Sequence, residues 1–492
     1  MGIIIKQSIK GSIWSYSGVV IGFITTAYLF PNYLSTDTIG LFGLLLAWST
    51  LFAQLFSIGM NGVAARMFAY FRDKKTGHHG FLFVAFTMLL LGFFLFLIAY
   101  AFFSPLLIEN NIEKSFLFSQ YVSLLIPLTL FTMLFTFLDS FNTLLYNAVI
   151  GVFLQEFLQR ILVLVVVVVF IIGWFDIHQL ILAYVVAISI KGLVIFIFLL
   201  IKGEMNLKPQ LSFIDKKLRN EMISVAVFSI LAGLGNNIVF RIDKIIINQL
   251  LGLSVTGVYT IAFFFGSLVV LPSRPLLRIS GTLIADAWKN NDLRTIKDIY
   301  YKSCLNQLII GDFLFLGIWA NIDNILIILG DNYAHAKWVI FFIGLGYLID
   351  MSTGANSLVI RFSKYYRINL LFLAILVVLV IGLMYLLIPL YGITGAAIAI
   401  TVSFFLNNLM RFWFLYRKYD LQPFNIKFLI VILFFVFVYV MVNFIPSMAL
   451  VWDILLRGSL ISVLTVIFFF LFPVSEDVKQ IIMTVKNKIK RK

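Results

Sequence analysis

Asn237-Ile238-Val239-Phe240-Arg241-Ile242-Asp243-Lys244-Ile245-Ile246-Ile247-Asn248 places two cations and an acid inside an apolar run that extends from about Ile223 to Leu251. The run is long enough to cross the roughly 30 Å hydrocarbon layer of a bilayer as a helix. On a helix, steps of three and four keep side chains on one side, so Asn237, Arg241, Lys244 and Asn248 form one polar stripe, and Asp243 points elsewhere. A charged group in hydrocarbon costs several kcal/mol unless it faces protein or a water-filled cavity. The stripe is therefore expected to line an interior and to mark a functional site.

The rest of the chain supports a membrane setting. Of 492 residues, 62% are hydrophobic and only 12% charged, and the mean hydropathy is +1.05, which excludes an ordinary soluble domain. Apolar runs of about 17 to 25 residues recur from end to end. They begin at about Ser8 to Leu34 and Thr38 to Met60 and end at Phe428 to Ile445 and Ile454 to Phe472. Alternating ten-residue strands are missing, which disfavours a β-barrel. The sequence thus predicts an all-α integral membrane protein of about 14 transmembrane helices.

A net charge of +15 would point to nucleic acid in a soluble protein; here the Lys and Arg residues fall in short connections between spans and set orientation, so no nucleic-acid partner is expected. One alternating set of connections holds Lys6 and Lys10, Arg66 to Lys75, Lys202 to Arg219, Lys289 to Lys302, Arg361 to Arg367, and Arg417 to Lys427. The other set holds only Lys114 and Lys337. Both termini are expected on the cytoplasmic side. The tail, Asp477 to Lys492, reads as an amphipathic helix on an anionic membrane surface.

A repeat is visible within the chain. Leu34-Ser35-Thr36-Asp37-Thr38-Ile39-Gly40 matches Leu251-Gly252-Leu253-Ser254-Val255-Thr256-Gly257 in chemistry and in place. At nearly the same offset, Phe175-Asp176-Ile177-His178-Gln179-Leu180 pairs with Tyr391-Gly392-Ile393-Thr394-Gly395-Ala396. The pattern predicts two six-helix bundles, residues 1–218 and 219–420, related by a pseudo-two-fold axis along the membrane normal, with a substrate cleft between them. Residues 421–492 would add two further spans and the basic tail.

Cys304 is the only cysteine, which excludes an intrachain disulfide and any paired-cysteine metal site; it reads as a small packing residue. The histidines, with His78 and His79 adjacent, show no metal spacing, and no Gly-rich nucleotide loop is present. No cofactor is expected. The residues that can carry chemistry are charges in or near spans. Arg274 and Arg278, in Pro272-Ser273-Arg274-Pro275-Leu276-Leu277-Arg278, share a face near the inner end of the eighth span, where two prolines should kink the helix. With Arg241 and Lys244 they describe an anion-attracting interior suited to a diphosphate, although Arg278 could equally snorkel to headgroups. Lys191, Asp312 and Asp350 lie at mid-depth without partners on their own helices, as an ion relay or as interhelical salt bridges. Glu156 and Arg160, four apart, read as a local ion pair.

Two six-helix halves plus two spans, the Arg241-Ile242-Asp243-Lys244 run followed by Leu251 to Tyr259, the Ile327-Ile328-Leu329-Gly330-Asp331-Asn332-Tyr333 stretch and Tyr391 to Ala397 together resemble bacterial polysaccharide flippases. These belong to the multidrug/oligosaccharidyl-lipid/polysaccharide exporter superfamily. The resemblance implies the fold of that superfamily's multidrug exporters, a place in the bacterial cytoplasmic (inner) membrane, and no enzymatic activity. It implies translocation of an undecaprenyl-diphosphate-linked oligosaccharide, such as an O-antigen or capsule repeat unit, by alternating access. The expected partners are that lipid, the surrounding membrane lipids, and a polysaccharide polymerase with its chain-length machinery. Drug exporters of the superfamily carry an acid in the first span, whereas Ser8 to Leu34 contains Lys10 and no acid before Leu34. A proton- or sodium-coupled multidrug exporter is the alternative, and a glycan polymerase would need a long outer loop that the sequence does not offer.

Overall fold

The computed structural model describes residues 2–472, 474 and 475, so the expected tail helix over Asp477 to Lys492 lies outside the described residues. Among the described residues every regular element is a helix and no strand occurs. Among the described residues eleven helices are long and apolar enough to cross a membrane, or up to thirteen when each of two bent pairs counts as one span. The chain groups into two compact units, Met1–Thr260 and Ile261–Lys492.

In the first unit, α1 (Gly2–Gly22) continues through a π-helical stretch, Phe23–Leu29, into α2 (Phe30–Tyr33). Then come α3 (Thr36–Phe56), α4 (Met60–Phe71), α5 (Phe81–Glu109), α6 (Phe116–Tyr121), α7 (Leu125–Leu144) and α8 (Ala148–Val152). A second π-helical stretch, Phe153–Leu158, leads into α9 (Gln159–Ile171), α10 (Ile177–Ile201), α11 (Lys216–Leu251) and the start of α12 (Leu253–Ser267). The helices start where polar caps stand. Ser35 accepts the Thr38 N–H at 3.2 Å, Asp176 and Gln179 exchange bonds of 2.7 and 3.0 Å, and Asp215 accepts the Leu218 N–H at 2.7 Å. Each satisfies a donor that a helix N-terminus leaves open.

The 36 residues of α11 make it about 54 Å long, longer than the span expected from Ile223. It packs on α3 and α4, which carries the first compact unit past residue 218 to Thr260. The two copies of the repeat meet here. A Cβ on Gly40 would collide with the Leu253 carbonyl, and one on Gly257 with the Thr36 carbonyl. Residues 36 and 253 stand at the same sequence interval as 40 and 257, so each copy's glycine receives the other copy's backbone. Only glycine permits that approach, and Thr36 Oγ1 lies 2.6 Å from Ser254 Oγ beside it.

In the second unit the prolines do not kink a continuous span. The eighth span, expected over Val255 to Leu277, divides into α12, a 3-10 turn at Leu268–Val270, and α13 (Ser273–Lys289). Pro272 caps α13 and Pro275 sits in its first turn, where a missing N–H costs no intrahelical bond. The prolines therefore open a new helix. The pair α14 (Leu293–Trp319) and α15 (Ile322–Leu329) bends by 55°, and α16 (Ala336–Ser352) and α17 (Asn356–Phe362) by 48°. α18 (Tyr366–Tyr419) holds both the eleventh and the twelfth expected spans. Its backbone leaves the helical region at Gly392 (φ 58°, ψ −140°), and Gly395 packs on the Leu387 carbonyl. Residues eight apart touch only if the chain reverses, so α18 is a hairpin. The last spans, α19 (Ile426–Asn443) and α20 (Leu450–Leu471), stack Phe434 on Phe468 at 3.9 Å. They are held to α15 because Asn324 donates to Asp453 at 2.5 Å, with Arg457 on the same carboxylate at 2.7 Å.

Candidate functional site: charges inside the first unit

The α11 stripe divides along its length. At one end Asn248 is buried and bonded on both sides: its amide donates to Asn111 and its carbonyl accepts from Ser115, both at 2.6 Å. Lys244 is buried too, with Nζ 3.8 Å from Asp243. Asp243, fully buried, accepts the Tyr259 hydroxyl at 3.0 Å and the Lys244 N–H at 2.8 Å. Its place off the stripe is a clasp between α11 and α12. Asn237 is half-buried and reaches Gln54 on α3 at 3.4 Å.

Arg241 is half-buried and close enough to act electrostatically on Lys244, on Lys191 and on Tyr184 of α10. Lys191, on a separate helix, is thus within electrostatic range of Arg241. Lys191 Nζ donates to Gln159 Oε1 of α9 at 2.8 Å and lies 4.6 Å from the Phe135 ring centre. Two acids, Asp139 of α7 and Glu156 of the π-helical stretch, act on Lys191. Glu156 is committed elsewhere, 2.7 Å from Arg160, and Arg160 also donates to the Gly18 carbonyl of α1 at 2.8 Å. The ion pair read from the sequence is present, and it is locked between α1 and α9. Gly18 and Gly22 lie directly against Glu156 and Arg160, the close small-residue approach that membrane helices use. Two π-helical stretches border this cluster, as they often do functional sites.

The second unit holds the other expected residues. Arg274 and Arg278 are exposed on one face of α13. Asp312 is buried on α14 with no hydrogen-bond partner for its Oδ2. Asp350 instead accepts the Asn408 amide at 2.9 Å, and Asn408 Oδ1 accepts from Thr353 at 2.9 Å and from Asn356 at 2.8 Å. No described hydrogen bond joins Asp312 to Asp350. Among the described residues no group of three or more His, Cys, Asp or Glu is placed to hold a metal ion.

Outside the spans, sequence reasoning missed a knot of connections in the first unit. His78 and His79 take left-handed backbone angles (φ 60° and 48°) between two positive-φ glycines, a strained run that packing must hold. His79 stacks on Phe213 at 4.0 Å. Glu204 receives Lys74 at 2.6 Å and His78 at 3.5 Å. Burial works to raise the Glu204 pKa, but these two partners overcome it and hold the carboxyl below its ordinary 4.5.

Two solved structures share this architecture. The lipid II flippase MurJ in an inward closed conformation has a TM-score of 0.77 at 15% identity, covering 94% of this chain and 98% of its own. An inward-facing multidrug resistance MATE family transporter of the MOP superfamily has a TM-score of 0.61 at 14% identity, covering 83% and 92%. These show the fold. No curated protein matches the chain. Residues 8–282, more than half of the sequence, match the profile described as polysaccharide biosynthesis protein, and this many-helix membrane chain therefore belongs to the polysaccharide biosynthesis protein family.

Proposed function

We propose that the protein is a flippase, not an enzyme, carrying an undecaprenyl-diphosphate-linked oligosaccharide from the cytoplasmic to the outer leaflet of a bacterial inner membrane. Both termini are cytoplasmic, and the moving parts are two six-helix halves, residues 1–218 and 219–420, with residues 421–492 as an addition. One observation carries the reading: Arg241 on α11 and Lys191 on α10, both half-buried among apolar helices of the first unit, act on each other electrostatically. Like charges brought together in a low-dielectric interior repel, and an anion that spends part of the cycle between them accounts for keeping both. A diphosphate matches a guanidinium and an ammonium. Family membership and a fold shared with a lipid II flippase support this cargo class.

Within the reading, Arg241 and Lys191 contact the phosphates, Asn237 borders them, and Arg274 and Arg278 attract the headgroup from the basic side. Lys244 and Asn248 keep α11 in register. Of the two expected ion-coupling acids, Asp350 is held by Asn408 and serves packing, and Asp312, buried with an unbonded Oδ2, is the ion-coupling group; transport driven by an imposed proton or sodium gradient would become independent of that gradient in Asp312→Asn. The polymerase and its chain-length machinery would take the flipped product. The deciding experiment is depletion of the protein in a strain without a paralogue, with lipid-linked repeat units measured on each membrane face. Accumulation on the inner face is expected; normal surface glycan rejects the reading. A multidrug exporter, the alternative, would confer drug resistance that survives Arg241→Ala.

A further inference from the structure

We infer that the corner where α11 gives way to α12 is a latch on the release side of the site: Lys114 and the crossing of Gly40 with Gly257 hold it against the first half of the chain, and it opens each time cargo leaves. The inference rests on the flippase reading. The corner, residues 248–257, belongs to the second half of the sequence repeat but lies inside the first compact unit, where two segments of the first half grip it. One is the connection between α5 and α6, residues 110–115. The other is the start of α3.

Lys114 holds the corner at both of its helix ends. Its carbonyl accepts the N–H of Leu253, at the start of α12, at 3.2 Å, and its Nζ donates to the carbonyl of Leu250, in the last turn of α11, at 3.2 Å. Helix ends leave such groups open, and a cation suits the negative end of α11. One of the two cations in the connections poor in Lys and Arg thereby gains a task. Between the bonded residues stands Gly252 (φ 91°, ψ 177°), whose missing side chain leaves room for the Lys114 carbonyl; that backbone conformation is essentially closed to other residues. To either side, Asn248 is tied to Asn111 and Ser115 at 2.6 Å, and Ser254 Oγ lies 2.6 Å from Thr36 Oγ1, beside the glycines that let α3 and α12 touch backbone to backbone. Lys114 is exposed and Thr36 and Ser254 are half-buried, so water takes over their bonds when the corner parts, and parting costs little. Asn248 stands on the same stripe as Arg241, about 10 Å further along α11. With the corner held, Lys244 and Asn248 are buried; moving it uncovers that end of the stripe and gives the cargo a way out.

The test locks the corner. In a Cys304→Ala background, Thr36→Cys with Ser254→Cys puts two thiols where the hydroxyls now meet, and copper phenanthroline oxidises the pair to a disulfide that dithiothreitol reduces. The full-length protein is assayed in liposomes for flipping of an undecaprenyl-diphosphate-linked monosaccharide, and in nanodiscs for binding of undecaprenyl diphosphate. Oxidation is expected to slow flipping about twentyfold or more and reduction to restore it, with binding changed less than about twofold. A contact that serves only stability loses nothing by becoming covalent, so undiminished flipping by the oxidised protein overturns the latch, as does a folded pair that forms no disulfide. If the pair does not fold, Ser254→Cys alone is labelled from outside with an impermeant maleimide. Labelling should run about fivefold faster while lipid is being flipped than without lipid, and faster again in Lys114→Met; equal rates overturn the proposal. If the Cys304→Ala protein with its native corner flips no such lipid, the flippase reading itself fails, and the latch falls with it.

Discussion

The interiors of the two compact units solve the same problem, polar groups inside an apolar bundle, in opposite ways. In the second, Asn408 gathers Asp350, Thr353 and Asn356 with bonds of 2.8 to 2.9 Å, a hub in which each partner's need is met by another. In the first, Arg241, Lys191, Arg160 and Lys244 share the interior with Asp139, Glu156 and Asp243, and the direct ion pairs described inside it are Glu156 with Arg160 and Asp243 with Lys244. A satisfied amide hub fixes helices to one another. A cluster with more cations than acids repels itself in an apolar interior and is a poor fastener, which is why we assign the transport chemistry to the first unit.

That contrast can be broken by experiment. The largest effect is expected for Arg241→Ala and Lys191→Met, each reducing flipping on the order of a hundredfold with little change in unfolding temperature, because each removes a contact to charge rather than a packing group. An equal loss of stability would make the first unit's charges fasteners after all. Next comes Asn408→Ala, which strands three partners and should lower stability by about 2 to 4 kcal/mol in detergent. Flipping per folded molecule should fall less than tenfold; a larger fall would give the second unit's hub a part in transport.

The smallest effect sharpens the comparison with charges outside the spans. Since Lys74 and His78 hold Glu204 below its ordinary pKa, the contact stabilises the folded state fully above about pH 4.5 and loses that contribution as pH falls through the depressed value. Hydrogen exchange at residues 72–80 should accelerate below pH 4.5 in the native protein. In Glu204→Gln the acceleration should be flattened. Exchange that rises with acid equally in both proteins would sever the strained turn from Glu204.

Much of the architecture was legible because hydrophobic length and the scarcity of charge act locally: a long apolar run must become a helix whatever its neighbours are. The break at Pro272 and Pro275 was half legible. The prolines marked the place, but whether they kink one helix or begin another depends on where the preceding turn ends, which no residue type states. The repeat was read from Gly40 and Gly257, yet nothing along the chain says that the two glycines pack on each other. Arg241 stood out as a charge in oil. Lys191 stood out for the same reason, as part of an ion relay or an interhelical salt bridge, because nothing along the chain says that Arg241 of another helix acts on it.

Composition and periodicity alone determined that this chain lives in a membrane as many helices, and that cations lie where hydrocarbon disfavours them, because transfer free energy belongs to each residue and needs no partner. Which cation meets which acid, which polar side chain is a fastener and which is left ready for a ligand, was decided only by tertiary structure. Electrostatic and hydrogen-bond energies depend on separations of a few ångströms between helices that lie far apart along the chain.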